Sequence, residues 1–202
     1  MANLSFFIGI CGGTGSGKTF LAGSLVRALG KDKAVCLSQD AYYRDLSHIS
    51  ADERGKINFD HPDALDTGLM VAHLKALGRG ETIRMPVYDF NTHTRVGDQK
   101  AVIPKRFIFI EGILILSVEA VAACLDYTLF LDVPPDVRFI RRLKRDMAER
   151  GRTAEAVADQ YLDQVRPMHE RFVKPRRQSA DFVIPGTYDI RDVLDRILAA
   201  AS

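Results

Sequence analysis

The chain reads as an α/β protein: a central, mostly parallel sheet with helices on both faces, a small β-hairpin insertion and a helical lid. Three observations predict this. Short apolar runs rich in β-branched and aromatic residues alternate with segments of helical period. The runs are almost continuously hydrophobic, the pattern of strands buried on both faces. The first run passes straight into a glycine-rich turn that opens a helix.

In chain order, LSFFIGI (4–10) is apolar but short and has no basic segment before it, so it reads as a first strand rather than a signal peptide. A helix over 17–29, a strand KAVCLS (33–38) and a helix over roughly 62–77 follow. Between 81 and 104, Pro86, Gly97 and Pro104 interrupt short β-like pieces, which predicts a hairpin excursion from the main sheet. RFIFIEG (106–112), YTLFLDV (127–133) and DFVIP (181–185) supply further strands, with helices over 117–123, 135–149, 154–170 and 189–200. No repeat, low-complexity tract or linker divides the 202 residues. One domain over 1–202 is expected, with the hairpin at 81–104 and a basic lid region at 138–165.

Composition excludes several classes. With 47% hydrophobic and 27% charged residues the chain is an ordinary globular protein. A net charge of +2 gives no global field to draw it to nucleic acid or a membrane surface. No apolar run approaches the roughly 18 residues of a membrane span. Cys11, Cys36 and Cys124 are far apart and odd in number, which argues against a disulfide framework or zinc site and suits the cytoplasm.

GGTGSGKT, residues 12–19, matches G-x-x-x-x-G-K-[ST], between a strand ending at Cys11 and a helix beginning near Gly17. Gly12, Gly13, Thr14, Gly15, Ser16 and Gly17 can turn successive N–H groups around phosphate oxygens, aided by the helix dipole. Lys18 can neutralise β- and γ-phosphates, and the Thr19 hydroxyl can ligate Mg²⁺. This is a P-loop, and it predicts a nucleoside triphosphate such as ATP or GTP. Glu111 ends a strand where such a fold needs a carboxylate near the metal; an exposed strand-end glutamate is the plain alternative.

Three further clusters bear on the acceptor. LSQDAYYRD (37–45) puts Asp40 just after the second strand, at the sheet edge where ligands collect, as candidate base for an acceptor hydroxyl. Tyr42 and Tyr43 could wall the pocket. In NFDHPDALD (58–66), Asp60 could accept from a vicinal diol, or simply cap a helix with Pro62 in its first turn. PVYDFNTHTR (86–95) offers Tyr88 and Phe90 to sandwich a base and His93 and Arg95 to bond its edge, provided a turn at Asn91-Thr92 brings Tyr88 and His93 together. A hairpin with ordinary packing aromatics is the alternative.

RFIRRLKRDMAERGR (138–152) carries seven basic residues against Asp146 and Glu149. Val137, Ile140, Leu143 and Met147 recur at near-helical spacing as the expected buried stripe, with Arg138, Arg142 and Arg145 on another face. Guanidinium forks suit phosphate oxygens, and Arg150-Gly151-Arg152 offers a hinge after the helix, so a lid that closes over the phosphates is expected.

On these motifs the chain resembles the uridine–cytidine kinase group of P-loop kinases, from about residue 5 to 185. GGTGSGKT is shared by many families; NFDHPDALD followed by YDFNTHTR is far more specific. The resemblance implies transfer of the γ-phosphoryl of ATP or GTP to the 5′-hydroxyl of uridine or cytidine, with Mg²⁺ served by Thr19 and Glu111. It implies Asp40 as base, Asp60 and Arg142 on the ribose diol, Tyr43, Phe59 and Phe90 shaping the pocket, and Tyr88 and His93 at the pyrimidine edge. Arg145, Arg150 and Arg152 would form the lid around phosphates and nucleoside, with Gln160 beside them. Homo-oligomers, up to tetramers, are expected in the group. IPGTYDIRD (184–192) departs from the group's glycine-rich segment after the last strand, which leaves the donor base open between ATP and GTP. Two other readings compete: a phosphoribulokinase-like enzyme acting on a sugar phosphate, and a non-catalytic nucleotide-binding regulatory module.

Overall fold

The computed structural model describes residues 5–202; Leu4, expected to begin the first strand, lies outside them. Strand β1 (Phe6–Cys11) sits at the centre of a five-stranded sheet. It is flanked by β5 (Phe107–Glu111) and β6 (Tyr127–Asp132), with β2 (Ala34–Ser38) beyond β5 and β7 (Phe182–Pro185) beyond β6. Every pairing is parallel. The continuous hydrophobicity has its reason here, since all five residues of β5 are buried. Phe107 and Phe109 face one core cluster, with α1 (Lys18–Leu29) and α8 (Ile190–Ala200) laid over it. Ile108 and Ile110 face the other, covered by α3 (Thr67–Gly78) and α4 (Glu119–Ala122). Phe109 is fully buried, a burial that contributes about 1.5–3 kcal/mol.

Register sets up the site. Ser38, Ile10 and Glu111 lie side by side at the carboxyl edge, so β2, β1 and β5 end at one level. The glycine loop leaves β1 at that edge. The expected excursion is a separate antiparallel hairpin of β3 (Ile83–Asp89) and β4 (Thr94–Val102). Its register shifts between Pro86 and Val87, where proline has no N–H to give the ladder.

The helix expected over 62–77 starts only at Thr67, capped by Asp66, whose Oδ1 accepts from Leu69 N at 3.1 Å. Leu65 is extended (φ −96°, ψ 143°) because it bridges to Tyr43, with Asp66 N donating to Tyr42 O at 2.8 Å. Pro62–Ala64 is a separate 3-10 turn, capped by His61; Asp60 caps nothing. Two elements went unread in the sequence. One is the 3-10 turn Gln39–Tyr42; the other is α2 (Ala51–Gly55), whose capping box, Ser50 with Glu53, was its available signal.

Helix α5 (Pro135–Arg150) matches its expected span but not its expected face. Ile140 and Met147 are exposed, while Arg138, Arg142 and Asp146 are buried. Partners from other elements draw the guanidiniums inward. The helix expected over 154–170 is broken and longer. Helix α6 (Ala154–Gln160) passes into a π segment (Tyr161–Val165), the turn α7 (Arg166–Met168), a second π segment (His169–Val173) and a 3-10 stretch (Lys174–Ser179). Pro167 lacks the N–H that would bond to Asp163, and Arg166 N donates back to Tyr161 O instead. No helix among the described residues is long and apolar enough to cross a membrane.

Candidate active site

At the carboxyl edge the chain turns through residues 12–17 into α1, whose N-cap Gly17 has φ 94°. Two glycines here answer to Arg138. A Cβ on Gly13 would collide with its guanidinium, and one on Gly15, at φ 75°, with its carbonyl oxygen. Arg138 in turn donates from Nε to Val133 O at 3.0 Å and from Nη2 to His169 Nε2 at 3.2 Å. Burial and that guanidinium hold the His169 imidazole down at about 4, so it is neutral and free to accept. The basic helix thus braces the loop from behind.

In front of the loop, Lys18, Thr19, Asp40 and Glu111 line one cleft. Glu111 is 4% exposed, and Ser38 Oγ donates to its Oε1 at 2.8 Å. Burial pushes the Glu111 carboxyl above its usual value and Asp40 adds to the effect, while Lys18 and the Ser38 and Thr19 hydroxyls oppose it. A buried carboxylate beside a hydroxyl and a second acid is an all-oxygen donor set of the kind a hard divalent cation takes. Asp40 stands on the 3-10 turn directly after β2, with its N–H donating to Ser38 Oγ at 3.4 Å.

The far wall of the cleft is aromatic. Tyr43 touches Phe59 and Tyr88, with ring centroids 5.3 Å apart in each case, and Phe59 stacks on His93 at 4.6 Å and 14°. The turn between β3 and β4 brings His93 round: Asp89 accepts from Asn91 N and Thr92 Oγ1, and His93 has φ 54°. Tyr88 and His93 line the same cleft, and Tyr88 OH and His93 Nδ1 are buried without partners. Burial and the nearby Arg152 and Arg150 lower the His93 pKa, which keeps the ring neutral.

Two expectations for this hairpin need correction. Tyr88 and Phe90 meet edge to face at 5.5 Å and 77°, so they do not form a parallel sandwich. Arg95 turns inward: Nε donates to Tyr43 O at 2.9 Å and Nη2 lies 3.2 Å from Asp66 Oδ2. It braces the hairpin against the Tyr42-Tyr43 turn and has no place at a ligand's edge.

The fourth wall is basic. Arg142 Nη1 donates to Thr14 Oγ1 at 3.2 Å and Nη2 to Gln160 Oε1 at 2.8 Å; Arg152 donates to the same Gln160 oxygen. The Arg150 guanidinium lies 5.0 Å over the Phe90 ring, tying the end of α5 to the hairpin. Half-buried Asp60 faces Arg142; burial raises its carboxyl pKa, Arg142 pulls it down and Asp40 pushes it up.

The Phosphoribulokinase / Uridine kinase family profile matches residues 7–191. The chain belongs to this family. It is 46% identical over 193 residues to the uridine kinase of Clostridium perfringens (strain ATCC 13124), covering 96% of this chain and 93% of that one. It is 45% identical over 186 residues to the uridine kinase of Chloroflexus aurantiacus (strain J-10-fl), covering 92% and 89%. Among solved structures, phosphoribulokinase from Rhodobacter spheroides superposes with a TM-score of 0.68 at 19% identity, over 91% of this chain and 70% of that one, which speaks to the fold.

Membership of the Phosphoribulokinase / Uridine kinase family makes the protein a P-loop kinase, and its cleft gathers most of the residues singled out in the sequence. Thr14, Lys18, Thr19, Asp40, Tyr43, Phe59, Asp60, Tyr88, Phe90, His93 and Glu111 line it, with Arg142, Arg145, Arg150, Arg152 and Gln160. Gly12, Gly13, Gly15, Ser16 and Gly17 form the loop behind. Two neighbours escaped sequence reasoning. Ile113 lines the cleft without any polar signature, and Ser38 holds Glu111. Strand-end position next to DAYYRD was the available signal for Ser38.

Proposed function

We propose that this kinase moves the γ-phosphoryl group of ATP or GTP to the 5′-hydroxyl of uridine or cytidine, giving UMP or CMP. The observation that carries the reading is one cleft lined together by Lys18 and Thr19 of the glycine loop, by Asp40 and Asp60, and by the rings of Tyr43, Phe59, Tyr88 and Phe90. The curated relatives named uridine kinase, matched over nearly their whole length, support it.

In this reading Asp40 accepts the proton of the primary alcohol as the new P–O bond forms. Asp60 accepts from the 2′- and 3′-hydroxyls, with Arg142 opposing the rise in its carboxyl pKa that burial causes. The unpartnered Tyr88 hydroxyl and His93 Nδ1 meet the pyrimidine edge at position 4. A neutral imidazole donates to O4 or accepts from N4 according to tautomer, which admits both bases. Lys18, Arg145 and Arg150 neutralise the donor's phosphates, and the lid keeps water from competing as acceptor. Thr19 and Glu111 would hold Mg²⁺, which when bound shields charge on the transferring group. The assembly we propose is a cytoplasmic homo-oligomer, to be read by sedimentation velocity.

A sugar phosphate as acceptor is disfavoured by the ring wall of Tyr43, Phe59, Tyr88 and Phe90, whose flat apolar faces suit a base rather than a second phosphate. The test is a nucleoside panel with Mg·ATP and Mg·GTP. Uridine and cytidine should yield monophosphates, and 2′-deoxyuridine should react more slowly for want of one hydroxyl at Asp60. Absence of UMP and CMP would refute the reading; equal rates on uridine and 2′-deoxyuridine would refute the diol assignment.

A further inference from the structure

Asp146 is wholly buried, at 0% exposure, on the arginine-bearing helix, and no role above uses it. Its Oδ1 accepts from Arg145 Nε at 2.9 Å, with Arg145 Nη2 at 2.8 Å and Arg150 Nη1 at 3.7 Å. Arg142 Nε lies 3.5 Å from Oδ2, an oxygen that accepts no hydrogen bond. Its backbone carbonyl accepts from the N–H groups of Gly151 and Arg152 and closes the helix. One residue therefore touches four arginines, three through the carboxylate and Arg152 through the main chain.

The main-chain cap needs no particular side chain, so it is the charge that calls for a reason. A buried carboxylate is costly unless paired, and gathered guanidiniums repel one another unless an anion stands among them. Arg145 is 36% exposed at its side chain and Arg150 29%, against 0% for Asp146. The arginines can turn toward the cleft they line while the acid stays.

We propose that Asp146 is a positioning residue of the phosphate clamp: its carboxylate holds Arg145 and Arg150 beside the cleft until the oxygens of a triphosphate take them over. This rests on the phosphoryl-transfer reading above. Without the charge, the arginines splay apart, and each must be reordered when the donor arrives.

The test is a double-mutant cycle with Asp146→Asn, which keeps shape and main-chain cap, and Arg145→Ala. Asp146→Asn alone should lower kcat about 10–100-fold while KM for the nucleoside moves less than about threefold. In the Arg145→Ala background the same change should cost less than about threefold further, because its route is already gone. Equal losses in both backgrounds, the mark of a merely structural role, or no loss at all, would overturn the proposal. Should Asp146→Asn fail to fold, the unmodified enzyme still decides. The Arg145 Nε–H resonance, identified by its loss in Arg145→Lys, should exchange slowly without ligand and shift on adding a Mg·triphosphate analogue. Fast exchange in the ligand-free enzyme contradicts the proposal. If the wild type makes neither UMP nor CMP, the acceptor reading fails separately. The cycle is then read as Mg·ATP affinity, where additive losses overturn the proposal and non-additive losses support it.

Discussion

Single residues divide by whether their partners are near in sequence. Asp40, Lys18 and Thr19 were readable because a local motif places each at a known point of a strand–turn–helix. Arg95 was not. Its partners, Tyr43 O and Asp66 Oδ2, are far along the chain, and nothing in PVYDFNTHTR says which way the side chain turns. Ser38 shows the same limit, since its importance lies in the register that sets it against Glu111. A prediction about pH belongs at this scale. Burial raises the Asp60 and Glu111 carboxyls above their ordinary 3.8 and 4.5. Both are proposed to act ionised, so activity is gained as pH rises through those raised values and lost as pH falls through them. The acid limb of kcat/KM should therefore begin to fall while the pH is still above 4.5. A limb confined below about 4, the ordinary carboxylate range, contradicts the assignment.

Elements divide by what buries them. Strands β1, β5 and β6 were legible because apolar faces on both sides leave a continuous hydrophobic run. Helix α5 was legible in span but inverted in face. Apolar periodicity chose Ile140 and Met147, yet Thr14 and Gln160 supply hydrogen bonds that bury Arg142. Hydrophobic pattern cannot register a guanidinium whose partners come from other elements. The hairpin was legible as an excursion, while the bracing of its tip was not. Arg54 Nη1 donates to Thr92 O at 3.0 Å, and Arg95 N to Asp45 Oδ1 at 3.2 Å, so the loop after the 3-10 turn grips the hairpin from outside. Arg95→Ala keeps those two bonds and removes only the side-chain ones, Nε to Tyr43 O and Nη2 to Asp66 Oδ2. We expect a loss of about 1–3 kcal/mol in unfolding free energy, measured by urea titration. KM for the nucleoside should rise with no change in triphosphate affinity. A variant with normal stability and normal KM would show the brace to be idle.

At the scale of the molecule, the parallel sheet brings three distant segments to one edge: the loop after β1, the turn after β2 and the acid that ends β5. The places of the glycine loop, Asp40 and Glu111 at strand ends were legible from the motif and the apolar runs, while the strand order that brings them together was not read. The contact between the basic helix and the hairpin was not legible either, because it depends on Arg150 reaching Phe90, which is far away in sequence. The proposed chemistry needs donor and acceptor to meet at the Asp40 carboxylate, which lines the same cleft as Lys18 and Asp60. The most direct measurement is a crystal structure with uridine and a non-hydrolysable Mg·triphosphate bound together. The Asp40 carboxylate should lie about 2.6–3.2 Å from the ribose O5′, with that oxygen in line with the γ-phosphorus. A uridine whose O5′ points away from Asp40, or a base seated outside the wall of Tyr43, Phe59 and His93, would contradict the account.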